Sequence, residues 1–102
     1  MPPKPAMIAE ISKSESYTQN CLDDPNFPQE QLTLKQKVLA DFSLIRLLLD
    51  RECTNAEKTK KIMLLVRELA MAVSTVGDVH DTEKLESEEQ RIRDEIRMLF
   101  EL

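Results

Sequence analysis

Between Val38 and Leu49 the apolar residues Val38, Phe42, Ile45 and Leu49 recur at steps of four, three and four, the spacing that keeps side chains on one stripe of a helix. Leu39 and Leu48 widen that stripe, while Leu44 and Leu47 fall on other faces. A single neighbouring helix cannot cover all of them. The segment "KKIMLLVRELAMAV" doubles the pattern. Ile62, Leu65, Leu69, Ala72 and Val76 form one seam, and Met63, Val66, Ala70 and Val73 form a second one residue along. One seam suits the preceding helix. The other calls for a further helix or another chain, because each large aliphatic side chain left in water forfeits about 1.5–3 kcal/mol. A third and sparser seam runs through Leu85, Glu89, Ile92, Ile96 and Leu99, with Phe100 beside it.

Local signals divide these segments into three helices, expected at about 29–52, 55–76 and 82–101. Pro28 at a first helical position and Thr33 in the capping-box form "TLKQ" compete for the first start. In "CTNAE", Thr54 and Glu57 have the spacing that satisfies two bare amides at a helix start, so a short turn should join two antiparallel helices. Gly77 suits the end of the second helix, and Asp81 or Thr82 suits the cap of the third.

Residues 1–28 read differently. Prolines in "PPKP", "DDP" and "FP" flank the polar run "SKSESYTQN", which predicts a flexible arm. Within that arm Met7, Ile8 and Ile11 could form one helical turn that presses on a groove. The expected architecture is therefore all-α: a disordered arm, an antiparallel hairpin, and a third C-terminal helix, packed in coiled-coil fashion.

Composition narrows the function. In 102 residues there is one glycine, no tryptophan, two cysteines (Cys21 and Cys53) and one histidine, His80. Such a set cannot make a glycine-rich phosphate loop, and it gives no disulfide framework or zinc site with familiar spacing. Cys53 reads as a small buried hydrophobe and Cys21 as an exposed bystander. A lone histidine is a poor supply of base for a serine or cysteine nucleophile. The acid pairs Asp23–Asp24, Glu88–Glu89 and Asp94–Glu95 are sequence neighbours, which diverge by about 100° on a helix instead of converging. The expectation is a protein that is not an enzyme, with no cofactor and no small-molecule substrate. No apolar run is long enough to span a membrane and the N-terminus lacks a secretory apolar stretch. With two unpaired thiols, the expected location is intracellular, cytoplasmic or nuclear.

Net charge is −5, which disfavours a general grip on nucleic acid. The acids concentrate beyond residue 78, whereas residues 54–77 are net basic. Arg51, Lys58, Lys60 and Lys61 form a candidate basic tip on the hairpin. It is read first as a solubility feature with local pairing, and less readily as a phosphate contact. The expected function is assembly, as a scaffold subunit packing against helices of a protein partner or of a second copy. The surfaces assigned to that partner are Met63, Val66, Ala70 and Val73, with Leu44 and Leu47, and with Ile92, Ile96, Leu99 and Phe100. The alternative is a self-contained three-helix regulatory adaptor that binds a linear peptide, and behind it a nucleic-acid-binding module that uses the basic hairpin tip.

Overall fold

A computed structural model describes residues 3–28, 31–79 and 81–101. It contains four helices, α1 (Lys4–Asp23), α2 (Leu32–Glu52), α3 (Ala56–Val79) and α4 (Thr82–Glu101). The first is the main departure from expectation, since the segment read as a flexible arm is a 20-residue helix. Pro3 and Pro5 do not prevent it. They sit at its entrance, where an amide has no intrahelical partner to lose. Met7, Ile11, Thr18 and Leu22 are buried along one face, with Phe27 buried just after the helix. Thr18 explains why the stripe does not look apolar. Its hydroxyl donates to the Ser14 carbonyl at 2.7 Å, so a polar side chain enters the core already satisfied.

Ion pairs between helices fix their directions. Lys4 meets Asp50 at 2.9 Å, which sets α1 antiparallel to α2. Lys61 meets Glu95 at 2.8 Å and Arg91 meets Glu68 at 2.7 Å, which sets α4 antiparallel to α3. Contacts join α1 to α2 and α3, join α4 to the same two helices, and join α2 to α3, while α1 and α4 do not pack on each other. The α2–α3 hairpin is thus the centre of the bundle, and the outer helices flank it. The radius of gyration, 13.5 Å, is close to the roughly 13 Å of a compact chain of this length. Among the described residues no helix is long and apolar enough to cross a membrane.

The seams read from the sequence do form one core. Val38, Phe42, Ile45 and Leu49 of α2, Ile62, Leu65, Leu69 and Val76 of α3, and Leu85, Ile92, Ile96 and Leu99 of α4 are all buried. The second α3 seam is where the expectation fails. Val66 and Val73 are fully buried within this chain, because α1 lies along that flank of α3. The cover assigned to a partner comes from the chain's own N-terminal segment. Ile92, Ile96 and Leu99 are likewise internal and are not available to a partner.

Helix ends differ in detail. Asn55, not Thr54, caps α3: its Oδ1 accepts from the Lys58 amide at 3.1 Å, and its own amide donates to the Glu52 carbonyl at 2.9 Å. Asn is as good an N-cap as any residue and slightly better than Thr, so the start moves by one residue and Glu57 leaves the capping-box position. Helix α3 continues through Gly77 to Val79, since an internal glycine weakens a helix by only about 1 kcal/mol and does not stop it. At α4, Asp81 supplies the cap to the Lys84 amide at 3.0 Å. Helix α2 starts at Leu32 without a side-chain cap, so Thr33 falls inside its first turn. His80 lies outside the described residues.

Candidate interaction surface

The parallel pair α1 and α3 leaves a half-open groove of about 450 Å³. Its floor is apolar: Met7 of α1 is buried and Met63 of α3 half-buried, and Leu64 beside them is 46% exposed. Glu10, Lys60 and Arg67 stand around it. Arg67 reaches Glu10 at 3.3 Å across the groove, an exposed pair worth little to stability. Lys60 is exposed and forms no ion pair with a described residue. The sequence spacing explains this. Lys60, Leu64 and Arg67 follow steps of four and three on the outward side of α3, one stripe away from its buried seams.

A second cluster lies on the opposite side of the hairpin, between α2 and α4. Asp41 is fully buried, Glu89 nearly so, and Arg93 is partly covered. The Arg93 Nε lies 3.2 Å from Asp41 Oδ1 and 3.1 Å from Glu89 Oε2, and Arg93 also donates to the Lys37 carbonyl at 3.3 Å. Two carboxylates and one guanidinium leave an excess negative charge in a poorly hydrated space. Burial, reinforced by Glu89 and opposed by Arg93, pushes the Asp41 carboxyl up to about 8. A proton retained there makes the cluster neutral. The single Nε–H of Arg93 is donated to Asp41 Oδ1, so its approach to Glu89 Oε2 is an ion pair without a hydrogen bond, and the retained proton gives Asp41 Oδ2 and Glu89 Oε2 a donor between them. Paired carboxyls can serve as acid and base, but here both carboxyls are paired with Arg93 and buried at the α2–α4 interface. Among the described residues, no group of three or more His, Cys, Asp and Glu is placed to hold a metal ion.

The residues singled out from the sequence are scattered by the fold. Met63 lines the groove and Ala70 is half-buried farther along the same helix. Leu44 is half-buried and Leu47 is 59% exposed on the outer side of α2. Phe100 is half-buried, with the Arg51 guanidinium 6.0 Å from its ring centre. In the presumptive arm motif, Met7 and Ile11 belong to the core and only Ile8 is exposed. The basic tip does not hold together as a patch. Lys58 is bound to Glu52 at 3.0 Å and Lys61 to Glu95, and Arg51 lies against Glu52 and Phe100. Lys60 alone of the four turns to the groove. Cys21 and Cys53 are free thiols, both half-buried against the core, so Cys21 is not the exposed bystander expected.

Sequence reasoning missed Asp41 and Arg93. The available signal was position: Asp41 lies three residues after Val38 and four before Ile45, on the face that the helix buries. No protein-family model matches the chain, and no curated protein or solved structure shows significant similarity to it.

Proposed function

We propose that this chain is a non-catalytic protein-interaction module, a self-contained four-helix adaptor that receives a segment of another protein in the α1–α3 groove. The observation that carries this reading is the groove itself, in which Met63 and Leu64 offer apolar surface beside the buried Met7, within a highly charged exterior. Pockets of a few hundred Å³ lined mainly by apolar side chains are where binding is concentrated in small proteins. Methionine, with three rotatable bonds and a polarizable sulfur, lets such a surface adapt to its occupant. The assembly role inferred from the doubled seam is retained in kind but moved in place, since α1 already covers that seam.

The test is selection from a random peptide library on the immobilised chain, followed by mapping of the selected peptides on the labelled protein. Bound peptides should shift the backbone amides of Lys60, Met63 and Leu64, and binding should be lost in a folded Leu64→Glu variant. Peptides that map elsewhere and ignore that substitution would overturn the reading.

A further inference from the structure

Resting on the groove as the docking site, we infer that its occupant is a short amphipathic helix carrying acidic residues beside its apolar anchors. Three observations select the helix. Both walls are helices whose main-chain groups are internally bonded, and the described residues contain no strand, so an extended peptide finds no sheet edge to join. No aromatic side chain lines the groove, which removes the usual seat for a polyproline segment. A segment entering an apolar floor must then satisfy its own backbone, and a helix does so. On α3 the lining runs from Ala56 to Arg67, about 17 Å of helix. An occupant of about three turns matches it.

Charge selects the acids. In a chain of net charge −5, the groove reverses the local sign, with Lys60 unpaired among the described residues and Arg67 held only by the exposed Glu10. Backbone polarity adds to this. Helices α1 and α3 run in the same direction, so the N-terminal, positive ends of both helix dipoles lie at the same end of the groove. A partner carboxylate near Lys60 meets a cation and this end together. A carboxylate near Arg67 can replace Glu10, exchanging one exposed pair for one that docking partly shields from water.

The experiment uses the full chain and two lactam-stapled helical peptides of about 14 residues. Both carry the same leucine anchors at helical spacing; one has glutamates flanking the anchors and its twin has lysines in their place. The acidic peptide should bind roughly tenfold or more tightly than its twin, with an advantage that shrinks as salt is added. Its binding should shift the amides of Lys60, Met63, Leu64 and Arg67. A folded Lys60→Glu/Arg67→Glu variant should reverse the preference. Equal binding of both twins in the groove overturns the acidic partner while leaving the docking site standing. Failure of both twins to perturb the groove at about 1 mM overturns the docking site as well. A dimer of the chain that dissociates in the Leu64→Glu variant would identify a second copy as the occupant and also overturn the proposal.

Discussion

Arg93 on α4 donates its Nε to Oδ1 of Asp41 on α2 at 3.2 Å, tying an outer helix to the centre of the bundle through a fully buried carboxyl. Glu89, one turn before Arg93 on the same helix, brings a second carboxyl to the same guanidinium. The cluster therefore depends on both its cation and its proton, and each dependence can be measured.

Stability should fall as the solution becomes alkaline. The folded state raises the Asp41 carboxyl from 3.8 to about 8, so between those values the native chain holds a proton that the unfolded chain has released. A group raised in this way stabilises most at low pH, and its contribution is lost progressively as pH rises through the folded value. The urea midpoint should be higher at about pH 5.5 than at about pH 8.5. Asp41→Asn should flatten that difference. A midpoint that rises with pH in the unmodified chain would contradict the assignment.

Removing the cation alone should be severe. Arg93→Met leaves two buried carboxyls without compensation, a change of about 3–5 kcal/mol in stability. Replacing all three residues together, Asp41→Leu, Glu89→Leu and Arg93→Met, should recover most of that loss. Equilibrium denaturation of the single and triple variants makes the comparison, and it needs no partner.

Helix α1 should be required for folding. Ile11 is fully buried, and Ile11→Ala should destabilise by about 2–5 kcal/mol. Deleting residues 1–26 should abolish a cooperative thermal transition, because it exposes Val66 and Val73. The intact chain should sediment as a monomer, and Val66→Glu should unfold that monomer instead of dissociating a complex.

The two candidate caps at the start of α3 separate cleanly. Asn55→Ala should cost about 0.5–2 kcal/mol, whereas Thr54→Ala, at an exposed position, should lie within about 0.5 kcal/mol of the original. Chemical denaturation of both variants ranks them.

The three expected helices and their seams were legible because strictly periodic residues, such as Val38–Phe42–Ile45–Leu49, report helical burial directly. Helix α1 was hidden by compositional rules that weigh prolines and serines heavily. Pro3 and Pro5 sit where proline is tolerated, and Thr18 occupies a core position with its hydrogen bond already made. The partner surface was misplaced for the same reason: with α1 counted as an arm, the flank of α3 holding Val66 and Val73 had nothing in the chain to cover it. The groove depends on how closely α1 and α3 approach, which periodicity within one helix does not encode. Asp41 shows a further limit, since a charged residue on a buried stripe looks like an interruption until Glu89 and Arg93 arrive from a helix some fifty residues away.

Because α1 and α4 do not meet, each depends on the central hairpin for its native contacts. During synthesis from the N-terminus, α1 leaves the ribosome with Met7, Ile11 and Leu22 uncovered, and it remains so until α2 and then the whole of α3 have followed. For that interval its apolar side chains are open to any apolar surface. Chaperones or neighbouring nascent chains that meet the chain in that interval meet this uncovered face, and completion of α3 withdraws it from them.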